Sequence, residues 1–155
     1  MKEMKTVEKL SISDLNNIAG ETPVSIIIWN EEIVLCGGVY FYKDNKQIAP
    51  FFDKIKELLF WFDKSKTEII KSISDKFMGI VQEWERESDI QKTISSDGLC
   101  NSVEIIEIGF CLGDVEDEPL INIYFDCGEH LSDHTVCCYL KKENDKIDYN
   151  FTLEG

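Results

Sequence analysis

The sequence predicts an α+β fold: a single twisted antiparallel sheet, made of an N-terminal hairpin plus a four-strand C-terminal meander, with two helices packed on one face. Three observations carry this prediction. Residues 24–29 and 33–42 are strand-like runs joined by a polar turn. Residues 51–84 hold apolar positions at spacings of three and four, the period of a helix. The final third alternates apolar and polar residues in four separate stretches, as antiparallel strands with one wet face do.

Residues 1–23 form a short helix or an arm. Ser11 or Ser13 would cap a helix running to Ile18, and Gly20 would end it. Leu10, Ile12, Leu15 and Ile18 would give it an apolar side. Residues 24–29 are rich in β-branched side chains and predict a strand. Asn30, Glu31 and Glu32 make the turn, and residues 33–42 the return strand. Gly37 and Gly38 in its middle predict a bulge or a close approach of another backbone. Residues 43–46 are a solvent-facing turn.

Pro50 opens a helix over residues 51–63, at a position that needs no backbone N–H. Ile55, Leu58, Leu59 and Phe62 are its buried stripe, while Phe60 and Trp61 fall off that stripe. Ser65 and Glu68 have capping-box spacing and start a second helix. Its stripe is Ile69/Ile70, Ile73, Phe77, Ile80/Val81 and Trp84, and it ends near Ser88. Residues 95–98 connect it to the meander. The strands cover residues 103–112, 120–127, 135–140 and 147–153. Ile106, Ile108, Phe110 and Leu112 would share one face of the first strand. Asn144-Asp145 suits the last hairpin turn.

The chain has 155 residues, and 43% hydrophobic content is enough for one packed domain. No apolar run is long enough to span a bilayer, and the opening residues lack the apolar core of a signal peptide. The expected compartment is the cytoplasm. The six cysteines are therefore expected as reduced thiols, with Cys36, Cys111, Cys127, Cys137 and Cys138 in or beside strands as small buried hydrophobes.

Charge is distributed unevenly. Residues 93–155 hold 14 acidic and 3 basic side chains, against 16 and 13 in residues 1–92. Of the net charge of -14, most sits on the strand-rich third. That field repels nucleic acid and anionic membrane and attracts a basic protein. The acidic turn Gly113-Asp114-Val115-Glu116-Asp117-Glu118-Pro119 and the strand carboxylates Glu104, Glu107, Asp126, Asp148 and Glu154 are the candidate contacts. Each is equally the wet side of a half-buried sheet or its hairpin end.

A second constellation joins Asp126, Glu129, His130, Asp133 and His134 on one loop, with both histidines of the chain. Imidazole and carboxylate together bind divalent metals, but this spacing matches no zinc signature. The alternative is a polar loop in which Asp126 or Asp133 caps backbone N–H groups. A hydrolase assembled from Ser102, Cys100 and His134 has no supporting motif.

The tail carries a resemblance. Tyr124-Phe125-Asp126, then Gly128, then His134 before a strand, a turn, and a strand ending Leu153-Glu154-Gly155 looks like the end of several small bacterial domain families. These families are associated with polymorphic-toxin immunity proteins. Asp133 stands where they usually have glycine, and Asn144-Asp145 lacks their turn glycine. The resemblance implies a small α+β protein without catalysis or cofactor, neutralising a toxin by binding.

Together these features make the expected function a non-enzymatic protein-binding module, an immunity protein that blocks a basic toxin domain by occlusion. Glu104, Glu107, Glu116, Asp117 and Glu118 would steer and anchor the partner, with Phe60 or Trp61 as an apolar hot spot. Two alternatives stand beside it. One is a metal-dependent or carboxylate hydrolase using Asp126, His130, Asp133 and His134; the other is a structural or regulatory subunit of a homo-oligomer, such as a homodimer.

Overall fold

A computed structural model describes residues 4–42, 47–87, 96–114, 117–131 and 134–155; the side chains of residues 84–87, 96, 97, 129 and 130 lie outside that description. The elements run β1 (Lys5–Thr6), α1 (Ile12–Ala19), β2 (Val24–Ile28), β3 (Glu31–Leu35), β4 (Val39–Phe41), α2 (Phe52–Lys64), α3 (Lys66–Glu87), α4 (Ser96–Ser102), β5 (Glu104–Leu112), β6 (Leu120–Asp126), β7 (Thr135–Glu143) and β8 (Lys146–Glu154). Among the described residues no helix is long and apolar enough to cross a membrane. The predicted turn at residues 43–46, and the predicted end of the second helix near Ser88, fall outside the described residues.

The predicted single sheet does not form. The strands divide into a three-stranded sheet, β1-β2-β3, and a five-stranded sheet, β4-β5-β6-β7-β8. The expected return strand over residues 33–42 breaks at Gly37 and Gly38, with φ of 70° and 74°. Those left-handed conformations turn the chain out of one sheet and into the other. Gly37 N–H donates to the Ile18 carbonyl at 2.7 Å, closing α1 against the crossover. The Gly38 carbonyl accepts from Phe110 N–H at 2.7 Å and places β4 parallel to β5. A Cβ on Gly109 would lie 3.3 Å from that same carbonyl. The glycine pair thus gives the predicted close backbone approach, and the approach separates the sheets.

The first hairpin turns one residue earlier than predicted. Trp29 and Asn30 both take positive φ, 56° and 62°, in a two-residue turn whose twist matches the flanking strands. A tryptophan tolerates this position because the core holds it. Its ring stacks on Phe62 at 4.7 Å and on Phe125 at 5.6 Å between centroids. Its Nε1 donates to the Phe62 carbonyl at 2.9 Å, and its backbone N–H to Asp63 Oδ1 at 2.8 Å. The turn bolts the small sheet to α2 and to the large sheet.

Helix α1 begins at Ser11, whose Oγ accepts the Asp14 N–H at 3.1 Å while Asp14 Oδ2 accepts the Ser11 N–H at 2.9 Å. Helix α2 buries Ile55, Leu58, Leu59 and Phe62, the stripe the sequence spells. Among the described residues of α3 the buried apolar side chains are Ile69, Ile73, Phe77 and Val81, and the predicted Trp84 side chain lies outside that description. These helices cover the inner face of the five-stranded sheet, where Ile108, Phe110, Ile121, Ile123, Phe125, Val136, Cys138 and Leu140 are buried. Ser72 Oγ and Tyr149 Oη share a hydrogen bond of 3.1 Å, which ties α3 to β8. Helix α4 begins within the region read as a connector, residues 95–98, and ends before the first meander strand; among its described side chains Leu99 is buried. The Asn144-Asp145 turn joins β7 and β8 with both residues at positive φ. All six cysteines are free thiols.

Candidate protein-binding face

The outer face of the five-stranded sheet is built by alternation. Its rows follow from the register: Glu107, Tyr124, Cys137 and Thr152 in one row, Gly109, Asn122, Tyr139 and Asn150 in the next. Beyond the first row, Glu104 stands opposite Asp126, and Thr135 opposite Glu154. Four carboxylates therefore share one end of one face. At the other end of this face, beside the turn, Lys141 stands opposite Asp148 and Lys146 opposite Glu143, while Lys142 lies on the inner side and pairs with Glu57 of α2. Among the described residues Glu104, Glu107, Asp126 and Glu154 make no ion pair with lysine or arginine. Like charges directly opposite on neighbouring strands cost a sheet stability, roughly 0.2–1 kcal/mol a pair.

A bulge shapes this corner. Ile105 pairs with Phe125 and Glu107 with Tyr124, so Ile106 is the extra residue. It leaves the buried face expected for it and stands 55% exposed. Beside it a shallow cavity of 220 Å³ is lined by Ile106, Glu107, Tyr124, Thr135, Glu154 and Gly155. Glu154 is held in place, its Oε1 accepting from Tyr139 Oη at 2.7 Å and Thr152 Oγ1 at 3.3 Å. That bond to a carboxylate pushes the Tyr139 phenol up to about 12. Burial first, then the charges of Cys137 and Glu154, push Tyr124 up to about 12. Both phenols stay neutral donors at physiological pH. Cys137 is fully buried on this face, and burial raises its thiol pKa. Farther along, Tyr40 is 59% and Tyr42 70% exposed. This face carries four tyrosines, of which Tyr124 alone enters the sequence prediction, as part of the tail motif and not as a contact. The period-2 alternation that places Ile123, Phe125, Cys138 and Leu140 inside also places Tyr124 and Tyr139 outside, and that signal was available.

The other predicted contacts fall elsewhere. Asp117 closes the β5–β6 turn on itself, its Oδ2 accepting the Asp114 N–H at 2.9 Å. Glu118 reaches Lys54 of α2 at 3.2 Å, so a helix lysine neutralises it. Both stand at the opposite end of β5 from Glu104 and Glu107. Phe60 lies on α2 under the Lys64 ammonium, 5.5 Å from its ring centroid. Trp61 is half-buried against Tyr149 at 5.6 Å. The predicted set is thus split between a sheet corner, a hairpin end and a helix. Glu116 lies outside the described residues.

On the loop after β6, Asp126 Oδ1 accepts the Gly128 N–H at 2.8 Å, so it caps the chain as the bland reading holds. His134 N–H donates to the Leu131 carbonyl at 3.0 Å, just before β7. Cys127 is buried, and burial, then the Asp126 charge, pushes its thiol up to about 12. Asp133 and the His130 side chain lie outside the described residues. Among the described residues no three His, Cys, Asp or Glu side chains are grouped to hold a metal ion.

Comparison of the chain with family models, with curated proteins and with solved structures returns no match in any of the three.

Proposed function

We propose that this chain is a non-enzymatic binding module that holds a cationic protein against the acidic end of its five-stranded sheet. One observation carries the reading: Glu104, Glu107, Asp126 and Glu154 share one end of one face without an ion pair among the described residues. Unpaired like charges cost the free protein stability, and a basic partner offsets that cost while the field speeds encounter. Combined with the tail resemblance, the partner is a basic toxin domain in the cytoplasm, and the action is occlusion.

The partner to assay is the product of the neighbouring open reading frame. Its association with the wild-type chain is compared with that of the Glu104→Lys, Glu107→Lys double variant at low and at physiological salt. The variant should associate at least about tenfold more slowly at low salt, and its rate should depend less on salt. Unchanged rates and unchanged salt dependence would refute the reading.

A further inference from the structure

The two edges of the five-stranded sheet are partly protected against strand addition. Along edge β8 two outward N–H groups are occupied by its own side chains: Tyr149 N–H donates to Asp148 Oδ1 at 3.0 Å and Phe151 N–H to Asn150 Oδ1 at 2.9 Å. The Phe151 carbonyl accepts from Lys76 of α3. The other edge, β4, is three residues long. Short strands and occupied edge groups are how sheets prevent pairing with another chain. The outer face has an aromatic content that suits a protein contact: tyrosine offers a large rigid body with a polar tip.

The acidic corner specifies what such a partner brings. The 220 Å³ cavity is smaller than sites for drug-sized ligands and fits one side chain. Its floor is Tyr124 and Thr135 on the two central strands; Glu107 bounds it on the β5 side and Glu154 on the β8 side. Ile106, turned outward by the bulge, adds an apolar wall. Tyr139 and Thr152 fix one oxygen of Glu154 and hold its carboxylate at the rim. A planar guanidinium stacks on a phenol ring and offers paired N–H donors to a carboxylate. An ammonium is a strongly hydrated point charge with no flat face.

We infer that the partner docks flat on the outer face of the five-stranded sheet and seats one arginine side chain in the cavity formed by Ile106, Glu107, Tyr124, Thr135 and Glu154. This rests on the binding reading above and names the chemistry of its anchor. The rest of the partner covers Tyr139 on β7 and Tyr40 on β4, which continue the face away from the acidic end.

Argininamide is the probe, titrated into isotope-labelled full-length chain and followed by backbone amide shifts. Saturable shifts centred on Glu107, Tyr124, Thr135 and Glu154 are expected, with a Kd on the order of 1–10 mM. Glu107→Gln and Glu154→Gln should each weaken binding by about threefold or more, a loss of about 0.7 kcal/mol by RT ln 3. Glu83→Gln, the same charge change on exposed α3, should leave it unchanged. Lysinamide should bind at least about threefold more weakly than argininamide. Shifts that map elsewhere, equal weakening by Glu83→Gln, or equal affinity for lysinamide would each overturn the arginine site. Because the probe needs no protein partner, that failure leaves the salt-dependent partner association to be judged separately.

Discussion

Glu104→Lys is the most informative single substitution on the proposed face. Glu104 stands directly opposite Asp126 across the β5–β6 ladder, and both side chains are exposed. Paired Cβ atoms in such a ladder are about 5 Å apart, which puts the two carboxylates about 6 Å apart. In water-like dielectric the repulsion is about 0.7 kcal/mol, and reversing one sign swings the pair by about 1.4 kcal/mol. Solvent screening and side-chain entropy reduce this to about 0.5–1 kcal/mol for an exposed pair. Urea unfolding should therefore show Glu104→Lys more stable than the wild type by that amount. The gain should shrink in 1 M salt, where the Debye length is about 3 Å. The same variant should lose affinity for a cationic partner, so stability and binding move in opposite directions. A variant that is destabilised, or whose gain is independent of salt, would show that Glu104 and Asp126 do not repel each other and that the corner carries no stored cost.

Two further predictions concern the scaffold. Trp29 is 7% exposed and joins the sheets through Phe62 and Phe125, so Trp29→Ala should cost about 3–5 kcal/mol in chemical denaturation. Trp29→Gly should be less damaging than Trp29→Ala by about 1 kcal/mol, because glycine takes the positive φ without strain; the reverse order would remove backbone strain from the account. Asp14 is pulled two ways: its burial raises its pKa, but the Ser11 N–H and the Lys5 ammonium at 3.0 Å outweigh that and hold it below its ordinary 3.8. A depressed carboxylate stabilises the fold above its unfolded pKa and loses that contribution as pH falls through its folded value. The Tm gap between wild type and Asp14→Asn should therefore be constant near neutral pH and close below pH 3.8. A gap that persists in acid would mean that the charge of Asp14 is not what α1 depends on.

The local elements were legible because short-range periodicity decides them. The stripes of α2 and α3 depend only on the spacing of Ile55, Leu58, Leu59 and Phe62, and of Ile69, Ile73 and Phe77. The cap at Ser11 and the turn at Asn144 and Asp145 are equally local. The candidate site was half legible. Alternation placed Glu107 on the wet face, but Glu104 has the opposite parity and joins it there only through the bulge at Ile106, and their convergence with Glu154 needed the register of four strands. Ile106 was placed on the wrong face because a bulge shifts the alternation by one residue without changing the pattern of the run. Phe60, Trp61 and Glu118 were grouped with the corner by charge or exposure alone, and the packing of α2 separates them from it.

By itself the chain determined the two long helices and the four C-terminal strands, because a residue's backbone preference and its apolar spacing act over a few neighbours. It also determined that the last third would carry the negative field, since composition does not depend on shape. Which strands pair was decided only in the folded molecule. The Gly38–Gly109 contact and the Trp29 stack join residues far apart in sequence, and those contacts send β4 to one sheet and β3 to the other. The gathering of four carboxylates beside two neutral phenols was decided there too, because distance across a sheet is set by pairing and not by position along the chain.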